Sequence, residues 1–103
     1  MPSSPSEGQP DQLIHQPVRL KIMSALKALP EREMLEFVRL KALSGATEGN
    51  LGAHISSLEQ AGYIEVVKDF HKNRPRTRTR LTRIGRRAFE DYVGFLKGII
   101  GEG

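Results

Sequence analysis

No cysteine occurs in the 103-residue sequence, which rules out a disulfide framework and a thiolate metal site and makes a reducing interior the natural setting. Long apolar runs are missing as well. None approaches the roughly 20 residues that span a bilayer, and the opening Met1-Pro2-Ser3-Ser4-Pro5-Ser6-Glu7-Gly8-Gln9-Pro10 lacks the apolar centre of a secretory signal. Residues 1–10 read as a disordered tail, and the expected location is cytoplasmic. The three histidines, His15, His54 and His71, fall on different elements with no carboxylate at ligand spacing, and no serine sits in a nucleophile elbow or phosphate loop. Nothing supports catalysis, so no enzyme activity, cofactor or metal is expected. A chain of this length holds a single domain, here residues 11–100.

What the sequence does have is positive charge in one place. The net charge is only +4, yet nine of the sixteen Lys and Arg residues lie between Lys68 and Arg87, where Asp69 is the sole acid. A patch of this kind attracts a polyanion. Arg74, Arg76, Arg78 and Arg80 alternate, and side chains two apart on a strand project to one side.

The apolar pattern divides the chain into elements. Val18, Ile22, Leu26 and Leu29 are spaced for a first helix within residues 11–29, starting near Gln16 because Pro17 fits a first helical turn. Residues 33–35 suit a short edge strand, and residues 36–44 a second helix on Phe37, Val38, Leu40 and Leu43. After the turn Ser44-Gly45-Ala46, Thr47 is a good N-cap for a third helix that buries Leu51, Ile55 and Leu58. Its opposite side, with Gly49, Ala53, Ser56 and Gln60 flanked by Asn50, Gly52 and Ser57, is small and polar. Gly62 can end that helix in the left-handed conformation. Residues 63–69 and 76–81 then pair as strands around a tip at residues 70–75. Thr82 caps a last helix to about Ile100, which carries two apolar stripes, Ala88-Tyr92-Phe95-Ile99 and Phe89-Val93-Leu96-Ile100. One stripe suffices for the domain's own core. The second predicts an interaction surface, and so a homodimer built on residues 82–100; a broad apolar face wrapping a small core is the plainer reading.

Four phrases resemble the winged-helix transcriptional regulators of the MarR and ArsR type. Leu13-Ile14-His15-Gln16-Pro17-Val18-Arg19-Leu20-Lys21-Ile22-Met23 is similar to their opening helix, and Thr47-Glu48-Gly49-Asn50-Leu51-Gly52-Ala53-His54-Ile55 to the recognition helix of a compact subgroup. Leu58-Glu59-Gln60-Ala61-Gly62-Tyr63-Ile64 resembles the lead into the wing, and residues 76–89 the returning strand and the start of the last helix. The resemblance covers roughly residues 11–100. It implies a mainly α, α+β winged helix-turn-helix with four helices and a two- to three-stranded antiparallel wing. It further implies a homodimer on pseudo-palindromic double-stranded DNA, with the recognition helix in a major groove and the wing over the backbone or minor groove. Gly52 stands where Ser is usual, and Ala53 where many relatives carry a long polar or basic side chain.

The expected DNA-contacting residues are Thr47, Asn50, Gly52, His54, Ser56 and Ser57 on the helix and Lys72, Arg74, Arg76 and Arg78 on the wing. Each has a structural alternative. Thr47 and Asn50 can simply order the first helical turn, His54 can pack at the edge of the apolar stripe, and the serines can be ordinary solvated residues. Arg80 and Arg83 lie closer to the body and can pair with acids such as Glu90. The expected dimer residues are Phe89, Tyr92, Val93, Phe95, Leu96, Ile99 and Ile100. A small-molecule effector has room only between the first and last helices at that interface. The expectation is a sequence-specific transcriptional regulator, a repressor acting by occluding promoter DNA; the alternative is a winged-helix protein-interaction module within a larger assembly.

Overall fold

Pro17 opens the first helix, because its fixed φ suits the first turn and its missing amide is not needed there. The computed structural model describes residues 11–101, and the tail at residues 1–10 lies outside them. Helix α1 spans Pro17–Lys27, with the Gln16 side chain accepting from the Arg19 amide at 2.8 Å. The preceding residues are turns rather than helix, since the Asp11 carboxylate takes the amides of Leu13 and Ile14 at 2.9 and 3.2 Å. The helix thus begins where Pro17 predicts and stops at Lys27, two residues short of Leu29.

A two-residue strand, β1 (Leu35–Glu36), leads directly into α2 (Phe37–Ser44), which ends at the left-handed Gly45. Thr47 caps α3 (Glu48–Gln60), its hydroxyl accepting from the Asn50 amide at 3.2 Å. Leu51, Ile55 and Leu58 are buried, as their spacing predicts. Gly62 follows with φ +81°, a conformation that side chains with a Cβ rarely adopt, and turns the chain into the sheet.

Strands β2 (Ile64–His71) and β3 (Arg74–Leu81) form an antiparallel hairpin, and β1 adds to the other edge of β3, giving the order β1-β3-β2. The hairpin is longer than the sequence suggests. Its tip is only Lys72-Asn73, with φ of 53° and 62°, the paired left-handed conformation of a tight two-residue turn. Phe70 and Pro75 are therefore partners in the ladder rather than loop residues. Counting from the closing pair His71–Arg74, they form a pair without mutual hydrogen bonds, so Pro75's missing amide costs β2 nothing. Its other edge is open, because β1 reaches only Arg78 and Thr79.

Alternation along the hairpin separates two faces. Ile64, Thr79 and Leu81 are buried with the helices, whereas Arg74, Arg76, Arg78 and Arg80 lie on the outer face. Helix α4 (Arg83–Ile99) is capped by Thr82, whose hydroxyl accepts from the Gly85 amide at 3.0 Å and donates to the Gly62 carbonyl. Gly85 is dictated by contact: a Cβ there would lie 2.0 Å from the Tyr63 carbonyl oxygen. The start of α4 is thus locked against the corner where α3 enters the sheet. No helix of the described residues is long and apolar enough to cross a membrane.

Candidate nucleic-acid interface

Once Leu51, Ile55 and Leu58 face the core, the opposite side of α3 must face solvent. Thr47, Glu48, Gly49, Asn50, Ala53, Ser56 and Gln60 are exposed, while Gly52, His54 and Ser57 are half-buried at its borders. Neither Gly49 nor Gly52 has a neighbour within 4 Å of where a Cβ would be, so this surface is low as well as open. Short side chains on such a surface let a helix backbone come close to base edges in a major groove. Thr47 and Asn50 are both engaged in the cap, Thr47 through its hydroxyl and Asn50 through its amide. The Asn50 side chain stays exposed, whereas Ser56 accepts a long bond of 3.4 Å from Gln60.

His54 is held by a residue from another helix. Arg19 Nη1 lies 3.0 Å from His54 Nδ1, and Arg19 also donates through Nε to the Leu13 carbonyl. Arginine is only a donor, so Nδ1 is the acceptor and the neutral ring carries its proton on Nε2. Burial, and then the charge of Arg19, hold His54 below the ordinary imidazole value. The ring therefore offers one N–H donor in a fixed tautomer.

The outer face of the wing is more balanced than the sequence suggests. Sheet pairing sets Arg80 opposite Glu65, Arg76 opposite Asp69, and Arg78 opposite Glu36 of β1. Arg76 grips Asp69 with both ends of the carboxylate, Nε to Oδ1 at 3.0 Å and Nη2 to Oδ2 at 3.1 Å, and Arg78 Nη2 adds a bond to Oδ2 at 2.9 Å. The Arg76 hydrogen bonds lead in holding the Asp69 carboxyl below the usual carboxylate range. Arg80 Nε meets Glu65 at 2.7 Å. By contrast, Lys68, Lys72 and Arg74 are exposed and enter no ion pair among the described residues. Lys72 and Arg74 place uncompensated charge at the tip, and Lys68 lies further down the hairpin opposite Thr77.

A polar helix face beside a cationic hairpin tip is the arrangement of a DNA-reading winged helix, and the sequence profile described as winged helix DNA-binding domain matches residues 18–100. The chain belongs to this winged helix DNA-binding domain family. An uncharacterized protein of Methanocaldococcus jannaschii is 40% identical over 76 residues, covering 74% of this chain and 79% of that protein. Among solved structures, the transcriptional regulator homologue protein from Pyrococcus horikoshii OT3 matches with a TM-score of 0.79 at 30% identity, over 89% of this chain and 88% of that one. A protein described as a MarR-like transcription regulator from Bacillus cereus ATCC 10987 shares the fold, with a TM-score of 0.62 at 21% identity over 88% and 68% of the two chains. The likeness to MarR-type regulators extends to the fold, and the family marks this winged helix as a DNA-binding module.

Within this winged helix, α4 does not divide its apolar residues between core and solvent as two stripes. The buried line runs between them: Gly85, Phe89 and Tyr92 are buried and Leu96 packs against the core, all within about 60° of arc. A helix docks by the middle of its apolar face, so each stripe contributes its inner members. Phe89 and Tyr92 are core residues of the single chain, at 9% and 3% exposure, and Val93 packs beside them. What projects is one flank with Ile84 and Ile99 exposed and Phe95 half-buried, together with Ile100 at the end. Beside the seam between the first and last helices, His15, in the turn before α1, lies with its Nδ1 2.7 Å from the Tyr92 hydroxyl.

The sequence does not show where two of its cations are placed. Lys68 is counted in the basic patch but lies on the opposite hairpin face from the arginine row. Arg19 carries the first-helix phrase, yet its spatial partner His54 is 35 residues away. Glu90, an expected partner for Arg80 or Arg83, instead lies 3.9 Å from Lys27.

Proposed function

We propose that the protein is a sequence-specific transcriptional repressor that binds a pseudo-palindromic duplex as a homodimer. Helix α3 enters the major groove, where Asn50 and the Nε2–H of His54 supply donors to bases or phosphates, and Gly52, Ser56, Ser57 and Thr47 allow or make close backbone contacts. The wing tip lies over the backbone or minor groove. Lys72 and Arg74 are its first phosphate contacts, Lys68 assists, and Arg76 and Arg78 join when their carboxylate partner yields. The observation that carries this reading is the low polar face of α3 beside unpaired cations at the wing tip, in a chain of the winged helix DNA-binding family. The description of the Pyrococcus relative as a transcriptional regulator homologue supports the regulatory role.

Pairing of chains follows from the exposed flank of α4. Ile99 and Ile100 are 64% and 70% exposed, and Phe95 and Ile84 extend the same apolar strip. A second copy covering this strip fixes the distance between two α3 helices, and occlusion of promoter DNA is then the simplest mode of action. Selection of bound sequences from a random duplex pool tests the whole reading. A two-fold symmetric consensus is expected. Recovery of no consensus, together with an absence of salt-sensitive binding to any duplex, would turn the reading toward a protein-interaction module.

A further inference from the structure

Among the described residues, the densest charge cluster outside the α3 face is the trio Asp69, Arg76 and Arg78 on the outer face of the wing. Three hydrogen bonds of 2.9 to 3.1 Å join two guanidinium groups to one carboxylate. The side chains are about a quarter exposed, at 22% for Arg76 and 29% for Arg78, so they lie along the sheet rather than reaching out from it. Glu36 of β1 stands opposite Arg78 and also acts on Arg76. Arg78 is incompletely served, because its Nε is buried without a partner.

A carboxylate accepting a bidentate arginine occupies the same donors that a phosphate would use. We infer that Asp69 is a specificity-determining residue, an internal phosphate substitute that withholds Arg76 and Arg78 from DNA and so restrains binding to duplex of any sequence. The inference rests on the DNA-binding reading above. With the trio closed, the wing cations outside any ion pair are Lys68, Lys72 and Arg74, and the wing's contribution to non-specific affinity is modest. Only a duplex already held in register by α3 keeps its phosphates beside the trio long enough to displace the carboxylate. The carboxylate therefore weakens random binding more than cognate binding, which is what discrimination requires. Were Asp69 instead a brace that presents the arginines to DNA, its loss would weaken both.

The two roles give opposite signs in one experiment. Asp69→Asn keeps the shape and removes the charge; Asp69→Ser removes the carboxylate with a different side chain, so that a fold defect peculiar to one variant does not decide the matter. Circular dichroism confirms the fold of each. Both are titrated, with the wild type, against a random duplex and a selected duplex at several salt concentrations. The expected result is random-duplex affinity raised about 10-fold or more at low salt, with the slope of log K against log salt steeper by about 2 to 4, as more phosphates are neutralised. The ratio of selected to random affinity should fall, and adding Arg76→Gln and Arg78→Gln to Asp69→Asn should abolish the gain. Unchanged or weaker random binding in the Asp69 variants, with the wild type still binding in a salt-sensitive way, overturns the inference alone. Absence of salt-sensitive binding in the wild type overturns both it and the DNA-binding reading.

Discussion

At the scale of single residues, two positions show how little freedom the sequence has. Gly85 touches the Tyr63 carbonyl, so Gly85→Ala forces α4 away from the sheet corner; a loss of about 1 to 3 kcal/mol is expected in denaturant unfolding, in the range of an overpacked site. His54 is held neutral by burial and by Arg19, which gives a pH signature with a definite sign. Its pKa is lower folded than unfolded, so the unfolded chain takes up the proton first. The contribution is fully present above the unfolded value of about 6.5 and is lost as pH falls from there through the lowered folded value. Thermal melting between pH 8 and pH 5 should therefore show a fall in Tm below pH 6.5 that His54→Gln reduces. An identical fall in the variant would place the effect elsewhere.

At the scale of elements, the proposed function divides the work between α3 and the wing. Asn50→Ala is expected to reduce discrimination between selected and random duplex, by about 1 to 3 kcal/mol if a base contact is lost, while leaving the salt slope alone. Arg74→Ala is expected to weaken binding to all duplexes and to flatten the slope by about 1 for each chain of the dimer. Arg76→Gln should flatten it less than the Arg74 change does. Equal loss of selected and random binding in the Asn50 variant would contradict the division.

Helix α3 was legible because Leu51, Ile55 and Leu58 repeat with the helical period and Thr47 and Gly62 mark its ends. The arginine alternation likewise predicted a shared strand face. Its neutralisation was legible only in part: Asp69 stands within the basic segment, but its partners Arg76 and Arg78, and the meeting of Arg80 with Glu65, are set only by the β2-β3 register. The wing tip is shorter than its sequence suggests, because Lys72 and Asn73 do not announce a two-residue turn as a glycine would. The middle line of α4 was hidden for another reason. Two adjacent stripes fix a broad apolar arc, but only tertiary contact decides which part of the arc is buried.

At the scale of the whole molecule, the exposed strip of α4 is an apolar surface without a cover in one chain, and the proposal covers it with a second copy. Light scattering at micromolar concentration should give twice the 11.5 kDa chain mass, and Ile99→Glu should shift the equilibrium toward the single chain without lowering the Tm of the domain core. A monomer with the strip exposed would remove the basis for a two-fold operator. It would leave the α3 face and wing tip unaffected.

In the proposed mode of binding, α3 discriminates sequence while the unpaired wing cations supply affinity. Its most direct test is an equilibrium titration of the wild-type protein against selected and random duplexes between about 50 and 200 mM salt. With about 6 phosphates met by Lys68, Lys72 and Arg74 of two chains, log K for random duplex should fall with a slope near −5. The selected duplex should bind about 1,000-fold tighter or more throughout. Binding that ignores salt, or that treats the two duplexes alike, would contradict the account.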